Sequence, residues 1–250
     1  MDRRERISLN GSRNAYFYDE KPGLMASRHA SPPRPDNRTR ARRSRQTQAE
    51  RSAATRQVLL DAAIKCLFEH GYGTTTTILV AEAAGVSRGA MLHQFPSKAD
   101  LMTFVVEAVF EEDIALYREL LKDVSGARER LIAYPHAAWT LMGRPAGIAI
   151  MEIFQGSRSD PTLAEKLRAV QERIDAIAIA ALEEELHRAP SIPLMQLIVA
   201  VGRGLAIGGI ISPALQRSEG AIELFQKLIQ AGIDQGILDP SEAKRLDTSP

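Results

Sequence analysis

The sequence predicts an all-α fold of about nine helices, with a three-helix helix-turn-helix unit at the front and a larger helical domain behind it. Three observations carry this. Thr74 to Lys98, TTTTILVAEAAGVSRGAMLHQFPSK, reads as helix, tight turn, helix and the start of a further helix. Just before it, Leu59, Ala62, Ala63, Cys66 and Leu67 recur at three- and four-residue spacing, the stripe of an amphipathic helix. From Leu101 onward, caps and breakers divide the chain into helical lengths only.

Composition sets the outer limits. With 250 residues, 44% hydrophobic and 25% charged, the chain can build a sizeable core in one or two domains. The single cysteine, Cys66, excludes an internal disulfide and a cysteine-built zinc site. The formal net charge of +1 hides an asymmetry. Residues 1–46 carry eleven Arg and one Lys against five acids, residues 47–100 carry five of each sign, and the remainder is acidic. A basic front on an acidic body suits one end that meets nucleic acid. The N-terminus has no apolar signal core, so a cytoplasmic protein is expected. The longest apolar run, Ile192 to Ile211, contains Gln196 and Arg203, which favours a buried helix over a membrane span.

Residues 1–46 have many breakers and little periodicity, and are expected to be a mostly disordered arm. Arg34, Arg38, Arg40, Arg42, Arg43 and Arg45 cluster at its end, either as a phosphate- or groove-seeking arm or as a solvated tail. Thr47 or Ser52 opens the first helix, which runs to about His70 and stops at Gly71. Cys66 lies on its buried stripe and reads as a core residue. Thr76 or a neighbour caps the second helix, whose apolar positions are Val80, Ala81 and Ala84. Gly85 can take the positive φ of a sharp exit, Val86 fills the corner, and Ser87 caps a helix from Arg88 to about Gln94 that Pro96 ends. In such a motif the second helix enters the DNA major groove. Ser97 with Asp100 three residues on forms a capping-box pattern for a long helix to about Val124. Ser125-Gly126 breaks it. Ala127 to Met142 follows, with Pro135 expected to kink it, and then Pro145 to about Phe154. Asp160 caps a helix near Pro161 to His187. Pro190 and Pro193 bracket the next start, and Met195 to about Ile211 and Ala221 to Ile233 are the last two, separated by Ser212-Pro213. The tail past Asp239 should be short and frayed.

The segment LLDAAIKCLFEHGYGTTTTILVAEAAGVSRGAMLHQFPSKADL resembles the N-terminal DNA-binding domain of the TetR family of transcriptional regulators. Gly71-Tyr72, Thr75-Thr76, Ala81, Ala84 to Ser87, Gly89, Phe95, Ser97-Lys98 and Leu101 stand at the family's spacings over roughly residues 50–101. The resemblance implies residues 47–100 as the DNA-binding domain and 101–250 as an effector-binding and dimerisation domain. It implies that Thr75 or Thr76 caps the second helix and touches phosphate. Val86, Met91 and Phe95 should face inward, leaving Arg88, Gly89, Ala90, Leu92 and His93 toward DNA. Arg88 is the candidate for a bidentate contact to guanine. Lys98, unfavourable in a first turn, makes sense beside a phosphate. With Thr75, Thr76 and Ser87 these form the candidate DNA-binding set. Two departures stand out: Leu92 replaces the family's usual tyrosine, and Thr77, Ile78 and Leu79 reverse its usual polarity.

The resemblance further implies a homodimer through the last two helices, with Val201, Gly204, Leu205 and Gly208 on one and Phe225, Leu228 and Ile229, together with Ile222, on the other. It also implies an effector pocket among the middle helices. His136, Trp139, Met142, Met151 and Phe154 are its candidates, with Arg144 and Glu152 as further polar groups and an apolar or aromatic small molecule as occupant. The partners expected are operator DNA, a small-molecule effector and a second copy of the chain, with no membrane. No catalytic residue, cofactor or metal is expected. None of the five His stands in a metal-binding pair, and no phosphate loop, nucleophile elbow or dinucleotide fingerprint is present. The alternatives are a helical interaction module without DNA binding, or an all-helical enzyme whose site is assembled only in space.

Overall fold

The computed structural model describes residues 48–187, 191–212 and 218–238, and all counts below refer to these. The expectations for the arginine arm, for Thr47, Pro190 and Pro213, and for the tail past Asp239 lie outside them. The described residues form nine helices: α1 (Gln48–Thr74), α2 (Thr77–Ala83), α3 (Arg88–Gln94), α4 (Lys98–Leu120), α5 (Ala127–Met142), α6 (Pro145–Ser157), α7 (Pro161–Leu186), α8 (Ile192–Ile211) and α9 (Glu219–Asp234).

Local chemistry explains most boundaries. α1 is broken at Gly71, whose φ of 73° and ψ of 171° no helix holds. The α4 capping box is complete, with the Ser97 side chain accepting from the Asp100 N–H and Asp100 accepting from the Ser97 N–H. The Asp160 carboxylate accepts from the Leu163 N–H at 3.0 Å, and Pro161 follows in the first turn. Some ends differ from expectation. α4 stops at Leu120, because Leu121 leaves helical geometry, and α6 runs on to Ser157. Pro135 sits buried inside a continuous α5.

The largest core is continuous from the helix-turn-helix unit into the body. Leu59, Ala63 and Leu67 of α1 meet Val80, Met91 and Phe95, then Leu101, Val105 and Val109 of α4, Ile153 of α6, and Leu163 and Val170 of α7. α1 lies along α6, and α4 along α7. A second core, with Leu131 and Ala138 of α5, Leu186, Leu194, Ile198 and Ile229, holds α8 and α9 against α5. The expectation that the run Ile192–Ile211 is a buried helix is corrected here. Only one face of α8, Leu194, Ile198, Gly202 and Ala206, is buried. Leu197, Ile210 and Ile211 stay largely exposed, since α5 covers one side and, among the described residues, no helix covers the other. By length and composition α8 could also cross a membrane.

Candidate nucleic-acid interface

The helix-turn-helix is built by short-range contacts. The Thr76 hydroxyl caps α2 by accepting from the Leu79 N–H at 3.1 Å. Gly85 takes φ 65°, and the Val86 N–H returns to the Ala81 carbonyl at 2.9 Å, closing the turn. The Ser87 hydroxyl caps α3 by accepting from the Ala90 N–H at 3.2 Å. Met91 and Phe95 are buried and Val86 half-buried, so α3 is anchored on one side. Gln94 donates to the Ser52 hydroxyl at 3.0 Å, tying α3 to α1. Phe95 stacks on Phe104 of α4 at 4.9 Å, with the Arg56 guanidinium over both rings.

This anchoring turns Arg88, Gly89, Leu92 and His93 to solvent, with Ala90 half-exposed beside them. A Cβ on Gly89 would meet nothing within 4 Å, so packing within the chain does not require a glycine there. Thr76 and Ser87 are also exposed. Of the reversed positions, Leu79 packs against the core and Ile78 is exposed.

Two residues of the DNA-binding set are placed differently. Thr75 is fully buried, and its hydroxyl donates to the Gly71 carbonyl at 2.7 Å. It holds the corner between α1 and α2 and cannot reach a phosphate from there. Lys98 is half-buried. Its ammonium donates to the Tyr72 carbonyl at 2.6 Å and lies 3.7 Å from the centre of the Tyr72 ring. A cation in this first turn therefore has an internal partner. Burial pushes its pKa down, against the opposing pull of Asp160.

Tyr72, in the sequence one half of the Gly71-Tyr72 pair, is a hub in the structure. Its N–H donates to the Glu152 carboxylate at 2.9 Å and its hydroxyl to Asp160 at 2.7 Å. Burial and the bond to Asp160 hold the phenol well above its usual range. Asp160 is held below the usual carboxylate range, first by the Leu163 N–H and then by Tyr72. Glu152 is thereby removed from the expected pocket, since it serves the end of α1.

Of the other expected pocket residues, Met142 and Met151 come together, and Trp139 and Met142 both border Gly202. His136 is exposed, edge-on to Trp139 at 5.7 Å, so it does not line the interior. Met142 packs with Ile148, Met151 and Ala206. Phe154 lies under the Arg203 guanidinium at 5.3 Å. Arg144 is paired with Asp113 and Glu112 of α4. Sequence reading missed Asp113, Tyr117 and Tyr134, which form a polar and aromatic group inside the body. The two tyrosine rings stack at 4.9 Å and 2°. Burial outweighs Arg144 and pushes Asp113 up to about 6. The four-residue spacing of Asp113 and Tyr117 on one helix was the only available signal.

Of the expected interface residues, Leu228 is 61% exposed, Gly204 is exposed and Val201, Leu205, Gly208 and Phe225 are half-buried. Ile229 is a correction. At 2% exposure it belongs to the chain's own core, as does Ile222, because both lie on the face of α9 turned inward. Ile207, Ile210, Ile211 and Leu224 are exposed instead.

The family described as "Bacterial regulatory proteins, tetR family" matches residues 59–103. An uncharacterised HTH-type transcriptional regulator of Mycobacterium tuberculosis is 25% identical over 193 residues, covering 75% of this chain and 98% of its own. The HTH-type transcriptional repressor AcnR of Corynebacterium diphtheriae is 30% identical over 135 residues, covering 53% of this chain and 65% of its own. A transcriptional regulator from Pseudomonas aeruginosa shares the fold, with a TM-score of 0.55 and 22% identity over 82% of this chain and 98% of that one. The outward row on an anchored recognition helix, the surrounding helical body and these likenesses agree: the chain belongs to the TetR family and is a helix-turn-helix, DNA-binding transcriptional regulator.

Proposed function

We propose that this chain is a dimeric cytoplasmic repressor that leaves its operator when a small, apolar or aromatic molecule enters the body formed by residues 101–250. The carrying observation is the row Arg88, Gly89, Leu92 and His93, which faces solvent from a helix locked by Met91 and Phe95. Arg88 has the donor fork for guanine, and Leu92 can pack on a thymine methyl. Thr76 and Ser87, exposed at two helix N-termini, suit backbone phosphates. Two copies joined through the uncovered faces of α8 and α9 would present two such rows to successive major grooves. Effector binding that favours a different separation of those rows weakens operator binding by population shift. AcnR is named a repressor, which supports the sign of the effect.

The test is selection of bound duplexes from a random pool by the purified chain, at several salt concentrations. The expected consensus is a pseudo-palindrome whose half-sites are a whole number of helical turns apart. No enriched sequence at any salt would refute the reading. A single unrepeated half-site would leave DNA binding and remove the dimer.

A further inference from the structure

Tyr72 stands where the DNA-binding helices and the body meet, and each of its polar atoms is taken by a different helix. The N–H goes to Glu152 of α6, the carbonyl accepts from Lys98 at the start of α4, and the hydroxyl donates to Asp160, the cap of α7. The ring lies on Gly156 of α6, where a Cβ would stand 2.2 Å from it. Glu152 and Gly156 are four residues apart and so share a face. The same helix carries Ile148 and Met151, which pack with Met142 of α5 and Ala206 of α8. One helix of 13 residues, roughly 20 Å long, thus touches both the Tyr72 joint and the interior of the body. On the other side of the joint, the Gly71 carbonyl receives Thr75 ahead of α2, and Lys98 follows α3 by four residues.

We infer that Tyr72 is the positioning residue through which α6 orients the helix-turn-helix, so that the state of α6 and operator binding are coupled at the contacts to Glu152, Gly156 and Asp160. This rests on the function proposed above and names the contact that transmits regulation within it. A rigid joint lowers the ordering cost of docking α3 in the groove. Because coupling is reciprocal, bound DNA must also alter α6.

Hydrogen exchange of the full chain, with and without a saturating duplex from the selection, tests this. In the wild type, amides of α6 should exchange several-fold more slowly when the duplex is bound. The double variant Tyr72→Phe, Glu152→Ala should bind the duplex about threefold to tenfold more weakly, as expected for losing charge-assisted bonds, and should lose the DNA-dependent change in α6. Restoring an acceptor as Glu152→Gln in the Tyr72→Phe background should recover part of it, which a merely structural role would not produce. If the double variant melts too low to assay, Tyr72→Phe alone, which keeps the ring on Gly156, should reduce the α6 response. Duplex binding by the wild type with no change in α6, or an unchanged response in the variants, would overturn the inference. Failure of the wild type to bind any duplex would overturn the functional reading itself, and is seen before any variant is made.

Discussion

Replacing Leu224 and Leu228 together by Glu should separate the dimer while leaving the protomer folded. The two side chains are 58% and 61% exposed, one turn apart on the outer face of α9. Moving a leucine fully out of water contributes about 1.5–3 kcal/mol, so about 1–2 kcal/mol remains available per side chain. A two-fold interface uses each residue twice. Four side chains therefore hold roughly 4–7 kcal/mol of association energy, and losing it raises the dimer Kd by on the order of 10³–10⁵. Placing carboxylates in the contact adds a desolvation cost in the same direction. Within the protomer the change touches solvent, so stability should shift by about 0.5 kcal/mol per site or less. Ile229→Ala is the control. At 2% exposure it should cost the protomer about 2–5 kcal/mol. Sedimentation velocity over a concentration series, with thermal melts, separates the two effects. A double variant that still sediments as the wild-type dimer would refute the assignment of this face.

Arg88→Ala should weaken binding to the selected duplex by about 1–3 kcal/mol and relax preference at one base position, with melting and dimerisation unchanged; binding titrations on duplexes altered at single positions check this. Deleting residues 1–46 removes the six arginines from Arg34 to Arg45, and should flatten the dependence of log K on log salt by up to about five; an unchanged slope would show that the arm touches no phosphate. Asp113, 24% exposed, has its pKa raised from 3.8 to about 6, chiefly by burial. The folded state therefore holds this proton where the unfolded chain has released it. Its contribution is full below about pH 4 and is lost as pH rises through 6, by at most about 3 kcal/mol. Denaturation of wild type and Asp113→Asn across that range should show this pH-dependent component only in the wild type.

What could be read from the chain alone was whatever depends on residues close in sequence. Ser87, Ser97 and Asp160 cap helices because a side-chain oxygen reaches an N–H two or three residues ahead, whatever surrounds it. Gly85 takes its left-handed turn for the same local reason, and the inward positions Met91 and Phe95 follow from helical periodicity. Tertiary structure decided the rest. Thr75 and Thr76 are adjacent and chemically identical, yet one is sealed in a corner and the other exposed, because Gly71 redirects the chain just before them. Glu152 looked like a pocket acid until α6 was laid along α1, and the partner that Lys98 has in Tyr72 exists only once the fold brings the two together. Ile229 and Leu228 are neighbours of equal hydrophobicity. Only the packing of α9 on α5 makes one core and leaves the other free to meet a second chain, because burial belongs to the assembled surface and not to the residue.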